Sequence, residues 1–180
     1  MKRIFLTFPI IAMLTGCSSH GNVNDKAYLR AAAIDGGRVT FSFYSEEDGV
    51  LSVNAESPEN AKSAAELALG KEIFTGHTEL VVTGECDALK ILDSMLHEWK
   101  VSPSCRVAEA ETSGEEVLKH RGAEELADVI DTAREKGLAP KCDIITVLSG
   151  LLGENGSAEV AELSEKGFCG VVDIKTLSAT

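Results

Sequence analysis

The sequence has no second apolar stretch beyond the one near its start. That stretch, 4–14, is broken by Thr7 and Pro9. It falls short of the ~20 apolar residues that a bilayer-spanning helix needs. Basic residues are scarce: 17 Lys and Arg stand against 29 Asp and Glu, a formal charge of −12. This imbalance excludes nucleic acid as an expected partner. It also excludes simple electrostatic docking to anionic lipid headgroups. There is no internal repeat, no low-complexity tract and no Cys-x-x-Cys pair. Catalytic signatures are missing as well. His97-Glu98 begins like the zinc motif HExxH, but Val101 stands where the second histidine belongs. The glycines at 150, 153 and 156 fit neither a dinucleotide fingerprint nor a P-loop, and no GxSxG elbow occurs. The carboxylates are spread along helix surfaces. No enzyme class and no cofactor or metal is therefore expected.

What is present begins with a leader. Lys2 and Arg3 precede the apolar run, which ends in Leu14-Thr15-Gly16-Cys17. A cationic start, an apolar core and small residues before a cysteine, in that order, make a lipoprotein signal. The small residues let the backbone enter a peptidase, and the thiol takes a diacylglycerol. Cys17 is the expected lipid-attachment residue. Cleavage before it removes 16 of the 180 residues and leaves 164, enough for one domain with a real core. Loss of Lys2 and Arg3 moves the formal charge from −12 to −14. Attachment then depends on acyl chains, of which stable anchoring needs more than one. The expected layout is a signal peptide at 1–16, a polar tether at 17–22 and a single domain at 23–180.

Within that domain, periodicity predicts alternating elements. Tyr28–Ile34, Val39–Tyr44 and Val50–Ala55 read as a strand meander, with turns at Asp35-Gly36-Gly37 and Glu46–Gly49. Ser57 caps a helix that Gly70 ends, with Ala61, Ala64, Ala65 and Ala68 on one face. Thr78–Thr83 is a strand. Ala88, Ile91, Leu92, Met95, Leu96 and Trp99 recur at helical spacing. A strand follows at Cys105–Ala110, then a short helix with Ser113 and Glu116 as a capping box, then a helix over Ala123–Lys136. Ile144–Leu152 reads as a short helix or a buried strand. Ala158–Leu163 and Phe168–Thr176 form a terminal hairpin. The expected fold is α+β, a mixed sheet backed by helices in one domain.

Candidate functional residues are few. His20 lies in the tether, His97 at the edge of a packed helix face, and His120 in the solvated stretch Lys119-His120-Arg121. His77 follows Gly76 just ahead of a strand, where a general base could stand. No serine, cysteine or carboxylate flanks it in an activating pattern. The expected role is structural: Gly76 permits a tight backbone and the imidazole bonds a neighbouring carbonyl or carboxylate. Cys86, Cys105, Cys142 and Cys169 could be disulfides in an oxidising compartment or buried thiols.

A series of pieces carries a resemblance. After the lipobox come Asn24-Asp25, a strand ending in Ile34-Asp35 and an alanine-rich helix. Then follow Lys71-Glu72-Ile73-Phe74-Thr75-Gly76-His77, the strand Leu80-Val81-Val82, a helix with Ile91-Leu92-Asp93, Arg106-Val107-Ala108 and Gly114–Leu118. In this order they resemble the N-terminal domain of the spore germination lipoproteins of the Ger(x)C family, the C subunits of germinant receptors. The resemblance implies a non-enzymatic subunit on the outer face of the cytoplasmic, or spore inner, membrane. It implies two partners: a polytopic membrane subunit and a nutrient-sensing subunit. It makes Asn24, Asp25, Gly76 and His77 structural or partner-contact residues. Two departures stand out. Ser18-Ser19 replace the aromatic residue common after the lipid cysteine, and the further C-terminal domains of full-length members have no counterpart before Thr180. Two other readings remain at this level: an envelope substrate-binding or sensing lipoprotein unrelated to spores, and a thiol or metal protein using the four cysteines with His77.

Overall fold

The computed structural model describes residues 25–45 and 49–176; Cys17 and Asn24 lie outside them. Its strands are β1 (Lys26–Asp35), β2 (Arg38–Phe43), β3 (Val50–Asn54), β4 (Glu72–Phe74), β5 (Leu80–Thr83), β6 (Arg106–Ala110), β7 (Ser157–Ser164) and β8 (Gly167–Lys175). Its helices are α1 (Pro58–Leu69), α2 (Ala88–His97), α3 (Gly114–His120), α4 (Ala123–Glu135) and α5 (Ile144–Leu151).

All eight strands join one mixed sheet in the order β3-β2-β1-β5-β6-β7-β8, with β4 beside the start of β1. The centre, β1-β5-β6-β7, is parallel; β2, β3 and β8 are antiparallel additions at the two edges. Parallel strands are buried on both faces and so carry unbroken apolar runs. Here Ala31 to Ile34 of β1 and Leu80 to Val82 of β5 are buried without a gap. The expected α+β class, with a mixed sheet and helices packed against it, is what forms.

Helices cover both faces. In β2, Val39, Phe41 and Phe43 alternate with Thr40 and Ser42, as a period of two requires. Phe41 stacks on Trp99, just past α2, with ring centroids 5.6 Å apart. On the other face, Thr40 meets Ser52 at 3.0 Å, and Ser52 donates to Glu115 of α3 at 2.9 Å. Helices α1, α2 and α5 pack in one layer; α3 and α4 lie against β1 in the other. The alanines of β1 let that second layer come close. A Cβ on Gly114 would lie 2.6 Å from Ala33 Cβ.

Several expectations are refined. The helix expected to run to Trp99 stops at His97, and Trp99 turns into the core at 3% exposure. Ile144–Leu151 is a helix, since Asp143 accepts the Thr146 N–H at 2.9 Å and so starts one. Ala68 is exposed, while Ala61 and Ala65 are buried. The capping box at Ser113 and Glu116 does not form, because Ser113 makes no side-chain cap bond and Asp35 takes that place. β4 was not anticipated as a strand: three residues carry too short a pattern.

Candidate functional site

The expected Gly76–His77 element lies at the amino end of the sheet. There β1 extends past β2 and pairs only with β4, Lys26 opposite Glu72 and Tyr28 opposite Phe74. The chain then turns tightly: the Thr78 N–H and hydroxyl both donate to Thr75 O, at 3.1 and 2.7 Å. Thr75 in turn donates to Trp99 O. Gly76 is needed for space, since a Cβ would sit 2.8 Å from Phe74 Cζ. The exposed His77 ring packs edge-on to Phe74 at 5.3 Å, and Phe74 meets Tyr28 at 5.5 Å. The imidazole was expected to bond a carbonyl or carboxylate. Instead the backbone carbonyl of His77 accepts the Tyr44 hydroxyl at 3.0 Å, and the ring serves packing.

Tyr44 is fixed from behind. The Arg30 guanidinium lies 4.6 Å over its ring and pairs with Glu79 at 3.1 Å and Glu124 at 2.8 Å. Burial, helped by Glu79, pushes the Tyr44 phenol up, so it stays a donor. Lys26, Tyr28, Tyr44, Ser45 and His77 line an open cleft of about 450 Å³. Ser45 shares that cleft but makes no hydrogen bond to the His77 ring. Asp25 is exposed one residue ahead of β1. Sequence reasoning singled out Gly76 and His77 but missed Tyr28, Tyr44 and Arg30. Tyr44 reaches His77, Tyr28 reaches Phe74 and Arg30 reaches both Tyr44 and Glu79, contacts between separate segments that only strand pairing creates.

The carboxyl end of the parallel strands holds a second cluster. Asp35 accepts the N–H groups of Gly114 and Glu115 at 3.1 and 3.2 Å and the Ser113 hydroxyl at 3.3 Å. A Cβ on Gly84 would come 2.1 Å from Asp35 Oδ1. The Ile34-Asp35 pair is thus a joint between β1, β5 and α3. Nearby, Glu109 accepts from Thr83 at 2.5 Å. Burial pushes its carboxyl up to about 7, with Asp35 and Glu162 adding to the rise against the Thr83 bond. Gly84, Cys86, Ala88, Glu109, Val172 and Ile174 are among the residues lining a cleft of about 530 Å³ there.

The other candidates are brought into no common site. His97 is exposed and pairs with Asp93 on its own helix; His120 lies 3.8 Å from Glu165 at the surface. Cys86, Cys105, Cys142 and Cys169 are all free thiols. No group of three or more metal-ligating side chains occurs among the described residues. Gly150 serves packing, since a Cβ would meet Ser157 O at 2.8 Å. Among the described residues, no helix is long and apolar enough to cross a membrane.

The family described as the spore germination protein N-terminal domain matches residues 20–164, from the segment before β1 through the end of β7. A prokaryotic membrane lipoprotein lipid attachment site matches residues 1–18, which include Cys17. No curated protein and no solved structure matches the chain. The chain, with its membrane-anchoring signal and most of its length matched, belongs to the spore germination protein N-terminal domain family.

Proposed function

We propose that this protein is a lipid-anchored, non-enzymatic subunit of a germinant receptor, acting through protein contacts at the membrane surface. The family match over residues 20–164 carries the reading. Residues 1–16 are a signal peptide, 17–22 a tether and 23–180 the domain. Acylated Cys17 holds that domain on the outer face of the cytoplasmic, or spore inner, membrane. Its partners are a polytopic membrane subunit and a nutrient-sensing subunit. Gly76 and His77 shape the amino end of the sheet for such contacts, and Asn24 and Asp25 are the other partner-contact residues in this reading.

The geometry agrees with a non-catalytic role. His77 is held by ring packing, and three of the four free thiols, Cys86, Cys105 and Cys142, are disarmed by burial. Burial pushes Cys86 up to about 12 and also raises Cys105 and Cys142. Reactive cysteines show the opposite shift. The test is Cys17→Ala in the sporulating host. The variant is expected to leave the membrane fraction and to reduce nutrient germination to the level of the deletion, while the purified domain keeps its circular dichroism spectrum. Full germination with Cys17→Ala would overturn the receptor reading. Loss of the folded spectrum would contradict a tether that lies outside the core.

A further inference from the structure

We propose that the face formed by α2 and α5 is where two copies of this chain pack together, related by a twofold axis that crosses both helices. The two helices touch in one layer and border a groove of about 550 Å³. The composition of α5 calls for a cover. Its eight residues, Ile144 to Leu151, include no charged side chain. A helix that is apolar all round is normally buried all round. Here Ile144, Val147 and Leu151 are buried, and the helix packs on β6 and β7. Its other side is open: Ile145 is 47% exposed and Leu152, the C-cap, 72%. These two lie about two turns apart, with Leu148 between them in the groove. Leu67 and Leu138 are exposed as well, but Leu67 is the sole exposed large apolar side chain of α1, and Leu138 stands alone after α4. Isolated cases of that kind are ordinary.

Charge identifies the occupant. Asp87, Lys90, Asp93 and His97 follow one another along α2 at three- and four-residue spacing, and all four border the groove. In chain order they read acid, base, acid, imidazole. Reversed, that order is its own complement. An antiparallel copy of α2 sets Lys90 opposite Asp93 of the second copy. It sets Asp87 opposite the second copy's His97, whose ring N–H donates to a carboxylate. The midpoints of the two pairings fall within one residue of each other, so a single axis serves both. Each pairing is made twice, as an isologous contact requires. The same axis lays α5 antiparallel to its copy and brings Ile145 against Leu152 twice. The charged groups are available. Lys90 forms no salt bridge among the described residues, although its charge is felt at Glu59. Asp93 and His97 pair with each other at 3.1 Å, both exposed, a contact worth little. A surface of one sign, such as anionic lipid, would meet like charge along this stripe. Helix α2 spans about 15 Å and α5 about 12 Å, so the interface is small and the dimer reversible.

The experiment crosslinks the full chain in membranes of a non-sporulating expression host. Cys169, the exposed thiol, is removed by Cys169→Ser. Ser149→Cys then places a thiol beside the groove, and Leu67→Cys places one on α1 as the comparison. A short bis-maleimide is expected to join Ser149→Cys chains into a dimer and to leave Leu67→Cys chains monomeric. Lys90→Asp or Asp93→Lys, added to Ser149→Cys, sets like charges opposite each other. Each is expected to cut the dimer yield several-fold. Co-expression of these two variants with different tags sets opposite charges face to face again. The mixed dimer is expected to return to near the parent yield, which also shows that neither substitution acts by unfolding the chain. Three results would each overturn the proposal: no dimer with Ser149→Cys, a yield unchanged by both charge substitutions, or a mixed dimer no stronger than either variant alone. The last would assign the groove to a different occupant. No receptor subunit is present in such a host, so failure here leaves the receptor reading standing.

Discussion

Asp35 ends β1, yet its carboxylate is spent on α3, taking two backbone N–H groups and one hydroxyl from residues 113–115. These are first-turn donors that no intrahelical acceptor can satisfy. Asp35→Ala should therefore cost about 1–2 kcal/mol in urea unfolding, the usual worth of a cap. Gly114→Ala should cost about 2 kcal/mol by overpacking, because Ala33 Cβ is fixed to the backbone and cannot yield. A neutral result for both would mean that α3 is not seated on β1 as described. Thiol labelling tests the burial pattern. Cys169 is exposed and should react first, with Cys105 and Cys142 protected until unfolding. Equal rates would contradict the buried environments.

At the scale of elements, Glu115 links α3 to the β2–β3 edge. It is 14% exposed and pairs with Lys119 and with Arg38 at 2.6 Å. The Lys119 bond, then the Arg38 and Ser52 bonds, hold its carboxyl down to about 2. A depressed carboxylate stabilises above its unfolded value of about 4.5, and that gain is lost as pH falls from there to about 2. Glu115→Gln should cost about 1 kcal/mol near neutrality, since its partners are half exposed, and almost nothing near pH 2. Helices and long strands such as these were legible in the sequence. Ser57, Gly70 and the Ala88-to-Met95 spacing all carry local signals. What was not legible is non-local. The order β1-β5-β6-β7, the three-residue β4 and the cap supplied by Asp35 from about 80 residues away depend on pairing that no window of sequence contains. The capping box was misread for that reason: Ser113 is a plausible cap by type, but Asp35 offers a carboxylate to the same donors.

Taken as a whole, the molecule is acidic, with 29 Asp and Glu against 17 Lys and Arg. Glu109 sits in the cleft at the carboxyl end of the sheet. Its folded value, about 7, lies above the ordinary 4.5. Between those two values the folded protein holds a proton that the unfolded chain releases, so stability falls as pH rises and levels off above about 7. Glu109→Gln should raise the unfolding free energy from urea titration at about pH 8 by about 1–2 kcal/mol, reduced for partial exposure, and leave it unchanged at about pH 4. An equal effect at both would show that the carboxylate stays ionised. The central claim, that this anchored domain works by holding membrane partners, is tested most directly by crosslinking the tagged chain in intact spores and recovering it from their membranes. The account predicts that a polytopic membrane subunit is recovered with the wild-type chain and lost with Cys17→Ala. Recovery of the acylated chain without any such subunit would contradict it.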